Sequence, residues 1–312
     1  MTIVNPTPTS IQEAATTLQN GGVVAFPTET VYGLGCDTFN EDGIQQVYEL
    51  KGRPKNNPTI AHIHDVSIAS QLTDDWNKQC QLLADHFWPG PLTLVVPKTS
   101  AVPPAACGGF ETIAIRMPNH PIALSLLTAV GGPVSAPSAN PSGYISPTTA
   151  IHVEQSFGGG VTVIDGGPCD CGIESTVLSL VDVPTILRPG SISLSSLVQL
   201  LPETKLVHPA SQTDSPGTAS THYSPHTKTT LLDCDSVNSI SNPDVIVISI
   251  KGTPRITKHA FVLPDCPTEY ASKLYATLRD ADALGAHEII IESPPQTPAW
   301  NAVMNRLLRA TA

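Results

Sequence analysis

Thirty prolines spread through 312 residues restrict the architecture of this chain more than any other feature. Each fixes its own φ and removes a backbone donor, so elements end abruptly and long uninterrupted helices are not expected. What remains is a succession of short elements joined by stiff turns.

The apolar pattern between the prolines supplies those elements. Ser10 with Glu13 reads as a capping box for a helix ending near Gly21 and Gly22, and VVAF after it reads as a short buried strand. Ile44, Val47 and Tyr48 mark a helix reaching about Leu50, and TIAHI a strand. Trp76, Cys80, Leu83 and Phe87 then form a helical face, followed by LTLVV as another strand. Further strands are expected at TIAIRM, VTVID, STVLSL and TILR, with helices near Pro121–Val130 and Leu194–Leu201. The alternation indicates an α/β fold. Strands following closely on one another after residue 160 favour a mixed sheet over a purely parallel one.

The segment from His208 to Lys228 is polar, turn-forming and almost free of aliphatic residues, as a linker would be. Beyond it, TTLLDC, DVIVISI, AFVLP and EIIIE read as strands, Tyr270, Leu274 and Leu278 as a helical face, and Trp300–Leu308 as a final helix. The expected organisation is a first domain over 1–205, a linker over 206–228 and a small α/β domain over 229–312, which the chain length accommodates.

A net charge of −11 argues against broad binding to nucleic acid or an anionic membrane. Cations are scarce, and Lys51, Arg53, Lys55, Arg116 and Arg188 sit beside proline- or glycine-rich turns, where phosphate and carboxylate sites tend to be built. The amino terminus lacks a secretory pattern and no apolar run approaches the ~18 residues of a membrane span, so a cytoplasmic protein is expected. Seven irregularly spaced cysteines suggest reduced thiols. The pair Cys169 and Cys171 has no companion at zinc-ligand spacing, and no protein-held metal is expected.

No Walker or Rossmann glycine loop, nucleophile elbow or zincin motif occurs. Four segments remain. Pro27-Thr28-Glu29-Thr30-Val31-Tyr32-Gly33-Leu34-Gly35 follows an apolar strand, and is either a ligand-receiving turn or a strand-to-helix turn whose glycines supply unusual φ. Lys51-Gly52-Arg53-Pro54-Lys55 crowds three cations onto a helix end, which suits polyphosphate better than a helix dipole alone would require. His62 and His64 lie two apart in or beside TIAHI and should share a face. In Ser135-Ala136-Pro137-Ser138-Ala139-Asn140-Pro141, Ser138 and Asn140 are placed to bond one group if the segment is extended. Finally, Arg116 in an apolar strand, Glu174-Ser175-Thr176 and Arg188 need partners: a structural salt bridge or an anionic ligand, and both readings stay open.

In the order VVAFPTETVYGLG, KGRPKNNPTIAH, FWPGPLTLVV, IAIRMP, SAPSANPSG, ESTV and ILRPGSIS, the chain resembles the YrdC-like domain family over roughly residues 10–200. With SPG and HYSP in the linker and a small α/β domain after it, it looks like the two-domain threonylcarbamoyl-AMP synthase form of that family.

The resemblance implies a twisted mixed sheet around a large cavity, with a smaller Rossmann-like C-terminal domain. It implies a nucleotidyltransferase reaction in which L-threonine, bicarbonate and ATP, with Mg²⁺, give threonylcarbamoyl-AMP and pyrophosphate. The product would pass to a tRNA threonylcarbamoyl transferase complex for N6-threonylcarbamoyladenosine formation, with little stable direct tRNA binding. By the same matching, Lys51, Arg53, Ser138 and Asn140 form the catalytic cluster. Arg53, Asn57, Thr112, Ser138, Ser146, Arg188 and Tyr223 contact ATP or the adenylate, and Thr30, His62, Arg116, Ala136 and Thr176 hold threonine. The linker, with His222 and Tyr223, is a candidate active-site lid, although Thr218-Ala219-Ser220-Thr221 is less basic than the family's usual stretch. The competing functions are carbamoyl-adenylate chemistry for another acceptor and a non-catalytic RNA-binding module.

Overall fold

Most of the apolar runs bounded by Pro and Gly form strands in the computed structural model, which describes residues 3–206, 223–240, 242–250 and 259–312. The greater part of the expected linker, His222 and the Thr218–Thr221 stretch included, lies outside the described residues, and with it the lid.

The first unit runs β1 (Ile3–Val4), α1 (Pro8–Gln19), β2 (Val24–Phe26), β3 (Gly33–Asp37), α2 (Glu41–Lys51), β4 (Ile60–His62), α3 (Lys78–Phe87) and β5 (Leu92–Pro97). It continues through β6 (Thr112–Arg116), α4 (Pro121–Val130), β7 (Val134–Ser135), α5 (Ala150–Phe157) and β8 (Thr162–Ile164). β9 (Thr176–Ser179), β10 (Thr185–Arg188), α6 (Leu194–Val198) and β11 (Lys205–Leu206) complete it. Its strands join in one mixed sheet of order β1-β8-β2-β3-β7-β4-β6-β5-β9-β10-β11. β5 is buried along Leu92–Val96, which is why LTLVV reads as an unbroken apolar run instead of an alternating one.

The second unit contains β12 (Thr229–Leu232), α7 (Cys234–Asn238), β13 (Val245–Ser249), β14 (His259–Val262), α8 (Pro267–Ala283), β15 (Glu288–Glu292) and α9 (Asn301–Ala310). Its strands form a parallel sheet of order β12-β15-β13-β14. The core of this unit reaches into the first: Val31, Ile145 and Ile173 pack in one cluster with Tyr223, Tyr270, Leu274, Tyr275 and Leu307. At Gly172, which has φ +69°, an added Cβ would fall 2.4 Å from Ser272 Cα, so a side chain there would push the units apart.

Local expectations needed correction in three places. The cap of α1 is Thr7, whose hydroxyl accepts from the Ser10 amide, with Pro8 opening the helix; Ser10 is the third helical residue, not the cap. The GLG of the first motif is strand β3, paired antiparallel to β2. Gly35 is there for space, not for an unusual φ, since an added Cβ would lie 2.7 Å from the Phe26 ring and 2.9 Å from Val134. β7 and α5 had no clear local signal. Among the described residues no helix is long and apolar enough to cross a membrane.

Candidate active site

The cationic turn is built by the end of α2. Gly52 takes the left-handed conformation (φ 57°) that closes the helix, and the chain then folds back through Pro54 and Pro58. Arg53 is thereby buried, donating from Nε to the Asn57 carbonyl (3.0 Å) and from one Nη to Asn57 Oδ1 (2.6 Å) and the Pro58 carbonyl (2.7 Å). All three acceptors are neutral, so the guanidinium keeps its charge; burial lowers its pKa to about 10.

Lys51 points beneath the serine- and asparagine-bearing loop, and its Nζ donates to the carbonyls of Ser138 (2.6 Å) and Asn140 (2.5 Å). Burial, and then the charge of Arg53, push its pKa down. The loop is clamped from the other side by the Leu34 amide bonding Pro137 O and the Ala139 amide bonding Tyr32 O, both at 2.8 Å. Ser138 and Asn140 do not converge on one group. Ser138 faces the pocket, whereas Asn140 turns its amide to the carbonyls of Pro141 and Tyr144.

The parallel pairing of β4 with β6 sets His62 opposite Arg116. Arg116 is buried, forms a 2.7 Å ion pair with Glu29, and donates to Thr30 Oγ1 (2.9 Å) and Gly90 O (3.2 Å). The salt bridge and a pocket-lining position therefore coexist in this arginine. Burial, and secondarily the charge of Arg116, hold the His62 pKa down near 3, so its imidazole is neutral at physiological pH. His64 lies beyond the strand end and does not reach the pocket lining.

Between these groups is a pocket. Thr30, Arg53, His62, Arg116, Ala136, Ser138, Arg188 and Tyr223 line it, all candidates from the sequence. Lys51, Asn57, Thr112, Asn140, Ser146 and Thr176 do not. Asn57 orients Arg53, and Ser146 donates to Glu174 Oε1 (2.6 Å). Thr176 spends its hydroxyl on the Ile192 backbone, and Thr112 sits opposite Pro97 at the start of β6.

The structure adds Thr28, Glu174 and Ser175 to the lining. The last two lie in the EST segment before β9, where a buried acid beside two hydroxyls was the available signal. Arg188 donates to Ser175 O (3.0 and 3.2 Å) and Ser175 Oγ (3.2 Å). Burial raises the Glu174 carboxyl, but the charges of Arg306 and Arg188 and the Ser146 hydroxyl outweigh it and hold the pKa at about 2. Among the described residues no cluster of three His, Cys, Asp or Glu side chains forms a metal cage.

Residues 16–190 match the Sua5/YciO/YrdC family, described as "Telomere recombination", and residues 192–312 match "Threonylcarbamoyl-AMP synthase, C-terminal domain". A threonylcarbamoyl-AMP synthase of Pyrococcus abyssi is 36% identical, covering 96% of this chain and 94% of its own length. One of Bacillus subtilis is 39% identical, covering 96% and 92%. The crystal structure of P. abyssi Sua5 complexed with L-threonine superposes with a TM-score of 0.94, at 36% identity, over 100% of this chain and 98% of that one. The mixed sheet with its clustered cations, the parallel-sheet unit behind it and these full-length relatives together place the chain in the Sua5/YciO/YrdC family, in its two-domain threonylcarbamoyl-AMP synthase form.

Proposed function

We propose that the chain is an L-threonylcarbamoyladenylate synthase and that the pocket is its active site. The observation that carries this is the joining of two chemically distinct groups in one pocket: His62 and Arg116 on paired strands with Thr30 on the loop before β3, and Arg53, Ser138, Arg188 and Tyr223 on the surrounding loops and strand ends.

The first group suits an amino acid. Arg116 is a planar donor for the carboxylate, and the Thr30 hydroxyl and neutral His62 can bond the side-chain hydroxyl. The second suits a nucleoside triphosphate, because Arg53 meets only neutral acceptors and so has charge to share with phosphate. Lys51, Asn57, Asn140 and Ser146 act from behind the lining by shaping the loops that carry these groups.

Threonine amine and bicarbonate condense to a carbamate and water. A carbamate oxygen then attacks the α-phosphorus, the bond to the β-phosphate breaks, and pyrophosphate leaves. The carbamate is short-lived in water, so holding it against the phosphate is the main task of the site. Arg53 and Arg188 stabilise charge growing on the phosphoryl and leaving oxygens. Mg²⁺ accompanying ATP would supply neutralising charge, and the pocket's own carboxylate, Glu174, is not free to hold it, being occupied by Ser146, Tyr275 and Arg306. The division into a catalytic domain to residue 205 and an accessory domain from 229 belongs to the same proposal. So does transfer of the labile product to a cytoplasmic tRNA-modifying complex, with little stable tRNA binding by this acidic chain.

Pyrophosphate release with ATP, bicarbonate and each amino acid in turn tests the reading. The expected result is release that requires both threonine and bicarbonate. Release independent of amino acid, or none with threonine, rejects it.

A further inference from the structure

The second unit reaches two of the pocket's lining residues, Glu174 and Tyr223, from behind. Arg306 on α9 is fully buried and donates to Glu174 Oε2 (2.8 Å), Glu174 O (3.2 Å) and Pro189 O (2.8 Å), while its guanidinium carbon lies 5.4 Å from the centre of the Tyr223 ring. Tyr275 on α8 donates to the same carboxylate oxygen (3.0 Å) and stacks on Tyr223 with ring centres 5.6 Å apart. Tyr223 itself holds φ 64°, an uncommon conformation for a bulky residue, and so depends on its surroundings.

A carboxylate in a pocket that takes a polyphosphate poses an electrostatic problem, since it repels the ligand and can neutralise the cations meant for it. Glu174 lies within electrostatic reach of Lys51 and Arg188 on the first unit, and of Arg306, Tyr275 and Tyr223 behind it. Arg306 draws the charge of Glu174 towards the second unit, and the pair is neutral as a whole.

We infer that Arg306, assisted by Tyr275, is a positioning residue for the nucleotide: it holds Glu174 and Tyr223 in place so that Glu174 does not quench Arg188. This rests on the synthase reading of the pocket. It gives the second unit a task in ATP binding rather than in threonine recognition.

The test combines calorimetric ATP affinity with the threonine-dependent pyrophosphate assay on the full chain. Arg306→Gln should weaken ATP at least about tenfold, as expected for losing a charge-assisted contact, with KM for threonine changed less than about twofold. Adding Glu174→Gln should restore ATP affinity to within about threefold of wild type, because the stray charge is gone. A purely structural Arg306 predicts a double variant that regains its melting temperature while its ATP affinity stays as weak as in the single one. That result, unchanged ATP affinity in Arg306→Gln, or a parallel rise in threonine KM overturns the inference. If Arg306→Gln does not fold, Tyr275→Phe decides: ATP affinity about threefold weaker with threonine KM unchanged supports it, and unchanged affinity overturns it. A wild-type chain that binds ATP but releases no pyrophosphate with threonine rejects the synthase reading instead, and the calorimetry still judges Arg306.

Discussion

The two units bury charge in different ways. In the first, Lys51, Arg53, Arg116, Arg188, Glu29 and Glu174 are all buried at or just behind one pocket, and Lys51 and Arg53 hydrogen-bond to neutral partners. In the second, the buried arginines Arg279 and Arg306 lie on α8 and α9 and reach across to the first unit. Arg279 donates to the carbonyls of Ile145 (2.5 Å) and His152 (3.3 Å), with Tyr144 and Asp282 beside it. Buried charge is costly unless something compensates it. The arginines of the second unit find theirs across the join, and for Arg53 the synthase reading supplies it as phosphate.

The sharpest way to break that contrast is Arg53→Ala. If the charge of Arg53 serves phosphate, threonine-dependent pyrophosphate release should fall at least about a hundredfold, and near-normal turnover in a folded variant would remove the basis for the distinction.

Arg116→Met should raise KM for threonine roughly 10- to 100-fold, the size expected for a lost charged hydrogen bond. It also leaves Glu29 uncompensated, so melting should suffer. Combining it with Glu29→Gln should recover the melting temperature but not the KM. Recovery of both would make Arg116 a structural partner only.

On the other side, Arg279→Gln should lower unfolding free energy by about 1–3 kcal/mol, because two carbonyls and the Ser156 hydroxyl lose their donor. Turnover should stay close to wild type. A large kinetic loss would show that this part of the join serves chemistry too.

The last effect, confined to acid pH, concerns His62. Its folded pKa of about 3 lies below the ordinary 6.5, so the unfolded chain takes up this proton first. The stability tied to a neutral His62 is therefore complete above pH 6.5 and drains away as pH falls towards 3, at up to about 1.4 kcal/mol per pH unit. His62→Gln should flatten urea-denaturation stability between pH 6 and pH 4 relative to wild type; equal slopes would show that the imidazole is not desolvated.

Local signals found the elements where the cause was local. α4 spans Pro121–Val130 as expected because a proline opens it and Gly131, with φ 75°, ends it. EIIIE became β15 and LTLVV became β5 because branched and apolar side chains suit buried strands. β3 was hidden because its glycines answer to Phe26 and Val134 across the sheet, not to their own neighbours in sequence. The site divides in the same way. Arg53, Ser138 and Arg116 were visible as polar groups in conspicuous turns or apolar strands. Thr176 was equally visible, but its hydroxyl is taken by Ile192, a partner that comes alongside only when the chain folds.

By itself, the sequence determined where strands and helices form and which segments carry chemistry, because capping, proline stops and apolar periodicity act over a few residues. Only the tertiary structure decided which of those side chains reach the pocket and which stand behind it. It also brought Arg306 onto Glu174 from 132 positions away, since burial of charge is settled by the surroundings of a group and not by its neighbours along the chain.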